Sequence, residues 1–251
     1  MGKLFTRRAM ITTGFAASTA AAASVFFGKR YGLLPPDAGG LFGVGATLTY
    51  ATHRILLSRQ PLAREFSRNQ ISTNFPAINT VLPEDQVYRQ DMRNGFHQWK
   101  LTVDGMVARP SEFSLAQLRS YPSRTQITEH ICEQGWSAIA EWTGVPLSLV
   151  LNEVGIQPQA RYVFFYSVDG WWDSLDMGDA WHPQTLLAYG MNGHDLPVPH
   201  GAPVRLRVER QLGYKNLKYL SAITVTDSTK DWGKGLGAQG AENGYSWYAG
   251  I

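Results

Sequence analysis

The chain has 251 residues and one cysteine, Cys132, in the segment His130-Ile-Cys-Glu-Gln-Gly-Trp136. An apolar, strand-like run precedes Cys132 and Gly135 follows it, so we expect the side chain at a strand exit, where it can point into a cleft. A thiolate is a soft metal ligand and also a nucleophile, whereas a lone thiol elsewhere is often an inert core group. One cysteine without a paired cysteine or a His-x-x-His spacing cannot make a structural zinc site. Two interpretations stay open: a cysteine nucleophile, or a metal carried by a cofactor that brings its own sulfurs.

Short strands and a few helices must position this cysteine. Apolar runs predict strands, and alternation around Asp104-Gly105 predicts a hairpin within residues 99–107. Ser114 is expected to cap a short helix. The remaining predictions are strands over residues 125–131, 161–167, 204–208 and 222–226, and helices over residues 48–66 and 145–154. Few long helices and many strands indicate a mixed α+β fold.

The first 28 residues have the pattern of an export leader. Basic residues around Thr6-Arg7-Arg8 are followed by an uncharged stretch rich in Ala, Ser and Thr, and this arrangement resembles the twin-arginine signal. That route carries folded proteins, so it predicts a cofactor loaded before export and a periplasmic location. An uncleaved membrane anchor stays open, as does the plain start of a cytoplasmic protein.

Composition excludes one class of partner. The sequence pI is about 9.0, but five of the 23 Lys and Arg residues lie within residues 1–30, which leaves 18 against 20 Asp and Glu. The basicity belongs largely to the leader, so we expect no nucleic-acid partner. We divide the chain into the leader (1–28), a Gly/Pro-rich linker with an N-terminal helix (29–65), one α+β domain (66–227) and a surface tail (228–251).

A series of motifs in the α+β domain resembles the sulfite oxidase family. Cys132-x-x-x-Trp-Ser137 is followed by Trp142-Thr-Gly-Val-Pro-Leu147, and further matching segments lie in the same order downstream: 180–189, 191–193, 200–205, 213–215 and 217–219. The resemblance is greatest to the bacterial periplasmic branch that includes protein-methionine-sulfoxide reductases. It implies a strand-rich, sulfite-oxidase-type molybdopterin-binding domain. Only 24 residues follow Asp227, too few for the C-terminal immunoglobulin-like dimerisation domain of classical sulfite oxidases, so we expect no such domain and a monomer.

The same resemblance assigns the site residues. It implies that Cys132 ligates molybdenum and that the pterin or its phosphate contacts Asn74, Ser167, His200, Arg205 and Lys218. The loop that contains Lys215 supplies a further contact. Cations, imidazoles and backbone N–H groups are the donors that a phosphate and the polar edges of a pterin require.

Two positions depart from the reductase branch. Glu133-Gln134 stands where that branch carries Val-Glu, and His200 stands where it has Asn, as in classical sulfite oxidases. The substrate is therefore left open between a small or protein-bound S- or N-oxide and an oxyanion such as sulfite.

The leading hypothesis is an exported Mo-molybdopterin oxidoreductase that performs two-electron oxygen-atom transfer. Its electrons would be exchanged with a separate membrane or periplasmic haem protein, because one cysteine cannot supply a haem-attachment motif or an iron–sulfur set. The alternatives are a Cys-His hydrolase with His130, His182 or His200 as the base, and a metal-free exported binding module.

Overall fold

The computed structural model of the protein describes residues 33–40, 43–59 and 61–251, so the predicted leader lies outside the described residues. Six helices occur in the described part: α1 (Gly43–Leu56), α2 (Gln86–Arg93), α3 (Leu115–Ser120), α4 (Leu147–Val154), α5 (Met177–Ala180) and α6 (Gln239–Glu242). The strands are β1 (Lys100–Gly105), β2 (Ser111–Ser114), β3 (Arg124–Ile131), β4 (Ser137–Pro146), β5 (Tyr162–Ser167), β6 (Trp172–Asp176), β7 (Leu186–Met191), β8 (His194–Asp195), β9 (Arg205–Arg207) and β10 (Leu220–Thr226). The predicted mixed α+β, strand-rich fold is confirmed.

The strands form two sheets with a shared apolar core. The first has the order β2-β1-β10-β5-β6, in which β1 and β10 run parallel, and the second has the order β3-β4-β7-β8 with β9 also paired to β7. The core includes side chains of both sheets, such as Phe165 of β5 and Leu187 of β7, together with Leu118 of α3 and Leu151 of α4. Burying the inner faces of two sheets and two helices against one another fixes the loops at the sheet ends.

Local signals placed several elements correctly. Ser114 accepts a hydrogen bond from the Gln117 backbone and begins α3. Pro146 immediately precedes α4, and Gly155 ends that helix in the left-handed region at φ +70°. The hairpin prediction was right for the strands but wrong for the turn, because β1 continues through Asp104-Gly105 to pair with β10 and turns to β2 afterwards.

The N-terminal helix lies earlier than predicted. α1 spans Gly43–Leu56, whereas we expected residues 48–66. Its first turn packs against the segment Pro36–Gly39 so closely that a Cβ at Gly43 would lie 2.0 Å from the Ala38 carbonyl oxygen. The helix ends before Pro61, whose ring disfavours helical backbone in the preceding residue.

The expected surface tail is instead partly buried. Trp247, Tyr248 and Ala249 are at most 6% exposed, and the two aromatic rings pack with Tyr50 of α1. The Trp247 backbone N–H donates to Asp37, and its indole donates to Ser174. The expectation of a surface tail was based on its Gly-rich, polar composition and did not consider these aromatic side chains, whose burial fixes the segment on the domain.

Candidate functional site

A cavity of about 370 Å³ opens at the loops that follow the strands of both sheets. Its walls come from residues 75–80, from the turn after β3, from the turn after β5, and from residues 213–218. The lining includes Phe75, His130, Cys132, Trp136, Ser167, Trp171, His200, Arg205, Gly213 and Lys218. The volume matches what a small organic ligand or cofactor requires.

Cys132 stands at the start of the turn between β3 and β4. Its backbone N–H donates to the Trp136 carbonyl at 2.9 Å, and Gly135 supplies the positive φ of +90° that closes the turn. The thiol is 4% exposed and lies 3.5 Å from the Glu133 carboxylate. Burial, with the Glu133 charge adding to it, raises the pKa of Cys132. The protein alone therefore disfavours the thiolate, which a bound cation or metal would favour.

Gly213 allows the loop after β9 to approach this turn. A Cβ at Gly213 would lie 2.6 Å from Nε2 of His130 and 3.3 Å from Cα of Cys132. Only glycine permits that approach without displacing the neighbouring ring. The loop that contains Gly213 and Lys215, which the sequence predicted to contact the cofactor, thus lies directly against Cys132.

Arg205 is a buried cation that has no carboxylate partner among the described residues. It is 4% exposed, and its guanidinium donates to the backbone carbonyl oxygens of His200 at 3.0 Å and Asn216 at 2.9 Å. Its Nε has no hydrogen-bond partner among the described residues. Burial, with the Arg207 charge adding to it, lowers the pKa of Arg205 to about 9. A buried unpaired charge is costly, so this position suits an anionic ligand.

The buried ion pair between Arg207 and Glu209, which lies next to Arg205 of β9, was not predicted from the sequence. Arg207 makes a bidentate ion pair with Glu209 at 2.7 and 3.0 Å, and it donates its remaining terminal nitrogen to Nδ1 of His130 at 2.8 Å. A guanidinium can only donate, so Nε2 of His130 carries the ring hydrogen and is a donor at the cavity wall. Burial is the main reason that the pKa of His130 falls to about 2. The Arg-Leu-Arg alternation of β9 was the available signal, because residues two apart share one face of a strand.

Three other predicted contacts reach the cavity. The Lys218 ammonium donates to the carbonyls of Ile78, Thr80 and Pro199, and burial lowers its pKa to about 8. His200 lies at the end of the segment Val198–His200, and burial lowers its pKa to about 4. Ser167 donates to the Asp169 carboxylate at 2.6 Å.

The structure does not bring the remaining two predicted contacts to the cavity. Asn74 is exposed, although its neighbour Phe75 lines the wall. Lys215 points into the protein, where its ammonium pairs with the buried Asp173 and donates to the Ser174 carbonyl at 2.9 Å. The turn at Gly213–Lys215 directs this side chain toward β6, so Lys218 and not Lys215 provides the ammonium at the cavity.

The histidines are poor candidates for a hydrolytic base. The pKa values of His130 and His200 lie far below the near-neutral value that an efficient general base requires. His182 is buried away from the cavity and contacts the Pro61 carbonyl at 3.2 Å. The raised pKa of Cys132 also opposes a nucleophilic thiolate. The low pKa values of the two cavity histidines and the raised pKa of Cys132 are therefore unfavourable for a Cys-His hydrolase.

The residues at the cavity fit a molybdopterin. The uncompensated Arg205 guanidinium suits its phosphate, the donor faces of His130 and His200 suit its polar edges, and the lone Cys132 suits one metal ligand. Within residues 33–40, 43–59 and 61–251 no cluster of three or more His, Cys, Asp and Glu side chains is arranged to hold a metal. A cavity with a buried cation and a thiol at its walls is the arrangement that an anionic, metal-carrying cofactor requires.

Comparison with known proteins gives the family. The oxidoreductase molybdopterin-binding domain model matches residues 88–232. A protein of Azospira oryzae described as the protein-methionine-sulfoxide reductase subunit YedZ1 is 36% identical over 195 residues, which cover 78% of this chain and 70% of that protein. The chain therefore belongs to the molybdopterin-binding oxidoreductases of the sulfite oxidase family, and it is an oxidoreductase with a molybdopterin cofactor.

Two further proteins are less similar, and the matched region covers a smaller part of each of them. The protein-methionine-sulfoxide reductase catalytic subunit MsrP of Ralstonia nicotianae is 29% identical over 194 residues, which cover 71% of this chain and 57% of that one. The crystal structure of the sulfane dehydrogenase SoxCD from Paracoccus pantotrophus aligns with a TM-score of 0.50 at 25% identity, over 53% of this chain and 39% of that chain. The fold of the molybdopterin domain is shared with both reductive and oxidative enzymes of sulfur compounds.

Proposed function

We propose that this protein is an exported molybdenum enzyme that reduces sulfoxides, with Cys132 as the protein ligand to the metal. The observation that carries the proposal is the buried Arg205 guanidinium, which lines the same cavity as the lone thiol and pairs with no carboxylate in the part of the chain that the structure describes. The sulfoxide substrate is supported by the names of the two reductase relatives. Sulfite-type oxidation is the second candidate, because His200 stands where classical sulfite oxidases carry histidine.

Cofactor binding is divided among residues of different chemistry. Arg205 lines the cavity with its guanidinium fixed by two backbone carbonyls, and it would supply the positive charge that holds the phosphate. His130 would donate from Nε2, since Arg207 fixes its tautomer. Lys218 would fix the wall at residues 78–80 through its carbonyl contacts.

The reactive end of the cavity would lie at Cys132. When bound, the molybdenum cofactor supplies two-electron chemistry coupled to oxygen-atom transfer. Cys132 would lose its proton on ligation, against the present tendency of burial and Glu133 to keep the thiol protonated. Phe75, Trp136 and Trp171 would shield the site from water, which strengthens electrostatic interactions inside it.

Export and electron supply are proposals from the sequence. The Arg7-Arg8 pair with its uncharged following stretch supports twin-arginine export to the periplasm. A single cysteine in the 251 residues leaves no cysteine for an attached haem or an iron–sulfur cluster once Cys132 is used. We therefore assign electron delivery to a separate membrane haem protein. The relatives' descriptions as subunits support such a partner.

Metal, pterin and turnover measurements on one preparation test the proposal. The full chain is made in a host that synthesises the cofactor and, as the control, in a host that cannot. We expect molybdenum and pterin near one per chain only in the first preparation, with reduction of methionine sulfoxide by a reduced viologen dye. Absence of molybdenum from the first preparation would contradict the metal assignment. A loaded protein that oxidises sulfite but reduces no sulfoxide would contradict the direction.

A further inference from the structure

Helix α1 is apolar on two opposite faces. Ala46 and Tyr50 are buried on the domain, whereas Val44, Leu48 and Ile55 are 79%, 64% and 63% exposed. At about 100° per residue, the three exposed side chains fall within roughly 40° of one another around the helix axis. An amphipathic helix on a water-soluble surface normally presents polar side chains on its outer face. This helix instead carries an apolar stripe there.

Further exposed apolar side chains lie beside the stripe, at and after the end of the helix. Leu56 and Leu62 are 71% and 55% exposed. Trp181 is also exposed, and it follows α5, whose Asp179 carboxylate lies 2.6 Å from Arg54 of α1. The next residue, His182, contacts the Pro61 carbonyl. We name Val44, Leu48, Ile55, Leu56, Leu62 and Trp181 the outer face. Exposed tryptophan beside aliphatic side chains is typical of membrane interfaces.

The charges that follow helix α1 are mostly basic. Residues 1–65 contain two acidic residues: Asp37 is buried and accepts a hydrogen bond from Trp247, and Glu65 is exposed but pairs with Arg124. Arg54 is already paired with Asp176 and Asp179, so Arg59 and Arg64 are the exposed cations near the helix end. An apolar stripe bordered by these cations complements an anionic lipid surface.

The length of α1 sets how it can meet a bilayer. Fourteen residues make a helix of about 21 Å, shorter than the roughly 30 Å hydrocarbon core. No helix in the described part of the chain is long and apolar enough to cross a membrane. We propose that the outer face of α1 lies on the surface of an anionic bilayer, with the helix axis parallel to the membrane. Only 14 residues separate α1 from the uncharged stretch 9–28, so a leader that reaches the membrane brings α1 with it.

A lipid surface explains the outer face better than a protein partner does. The stripe is convex because it follows one side of a single helix, and its neighbours are flexible cationic side chains that suit many headgroups. The proposal concerns a surface distant from the cofactor cavity and holds whether or not the molybdenum assignment is correct. A second copy of the chain and a membrane haem protein are the alternative occupants, and the test separates them.

Site-specific labelling tests the proposal with the full chain. Two single-cysteine substitutions, Leu48→Cys and the control Val87→Cys on α2, are each labelled with an environment-sensitive dye. The wild-type Leu48 and Val87 side chains are 64% and 70% exposed, so both positions are accessible to the dye. The native Cys132 is buried. We expect the label at position 48 to shift to the blue on vesicles of phosphatidylethanolamine and phosphatidylglycerol, and less on phosphatidylcholine alone. The label at position 87 should not shift.

Charge substitution gives the matched affinity measurement. Leu48→Glu with Ile55→Glu should weaken binding to the anionic vesicles at least about tenfold, whereas Val81→Glu with Val87→Glu should leave it unchanged. Vesicle binding without a blue shift at position 48 would overturn the proposal, because the leader alone would then hold the protein. Three other results would also overturn it. The label at position 48 could shift in a dimer without any vesicles, its shift could require membranes that contain the haem partner, or the protein could bind equally to both lipid compositions.

Discussion

Replacing Arg205 with methionine should remove the cofactor while leaving the cofactor-free fold nearly as stable as before. The guanidinium pKa of about 9, against an ordinary value above 12, corresponds to a net folding penalty of about 5 kcal/mol for carrying the charge at neutral pH, its hydrogen bonds included. Methionine removes that penalty but leaves the carbonyl oxygens of His200 and Asn216 without their donor, at a cost of about 1–3 kcal/mol each. These contributions nearly cancel, so the free energy of unfolding should change by no more than about 2 kcal/mol.

Arg207 is the matched control, because it lies two residues along the same strand and is equally buried. Its bidentate partner Glu209 would be left as an uncompensated buried carboxylate in Arg207→Met. Breaking such a pair costs about 3–5 kcal/mol. The two variants should therefore differ most clearly in the cofactor-free protein: Arg207→Met loses several kcal/mol of stability, whereas Arg205→Met keeps its stability and loses pterin.

Urea unfolding of both variants, made in a host without the cofactor pathway, measures the stabilities. Pterin per chain is measured on protein from a competent host. The reasoning is refuted if Arg205→Met destabilises the cofactor-free protein as much as Arg207→Met does, or if it retains full pterin occupancy.

Three further predictions concern the cavity and the leader. Gly213→Ala should lower pterin occupancy severalfold in a folded protein, because the added methyl group would lie 2.6 Å from Nε2 of His130. The cofactor-free protein should lose stability in urea as the pH falls from about 6.5 toward 4, because unfolded His200 takes up a proton near its ordinary pKa while folded His200, at about 4, does not. His200→Asn should reduce that dependence by its own share, because the lowered pKa values of His130 and His182 contribute the rest. Replacing Arg7 and Arg8 together with lysine should leave folded, cofactor-containing protein in the cytoplasm, as cell fractionation would show.

A control variant or a contradicting result is defined for the Gly213, His200 and arginine-pair predictions. Gly45 has open space around it, so Gly45→Ala should keep full pterin occupancy, and equal losses in both alanine variants would remove the close approach as the cause. An unchanged pH dependence in His200→Asn would show that this histidine does not titrate as its buried position requires. Periplasmic delivery of the arginine-pair variant at the wild-type level would show that the leader has another function.

The parts of the site that depend on local sequence were predictable. Cys132 follows a strand and precedes a glycine turn, so its exit position could be predicted from neighbouring residues alone. Arg205 begins a strand after a Gly-Ala-Pro segment, and that junction lies at the cavity. Residue type and the adjoining turn decide both positions, without help from distant parts of the chain.

The parts that depend on distant contacts were not predictable in the same way. Lys215 and Lys218 lie in one loop, and only the position of Asp173, 42 residues earlier, decides that Lys215 points inward. The tail was misplaced for the same reason, since the Trp247 backbone pairs with Asp37, 210 residues away. Composition reports the polarity of such segments but not the buried partner that fixes them.

The ligation of molybdenum by Cys132 is the central claim, and X-ray absorption at the molybdenum edge tests it most directly. One pterin dithiolene and one cysteine predict three sulfur neighbours in the wild-type protein and two in Cys132→Ser. Ser167→Ala changes another wall of the same cavity, so it should keep all three. An equal sulfur count in wild-type protein and Cys132→Ser would contradict the claim.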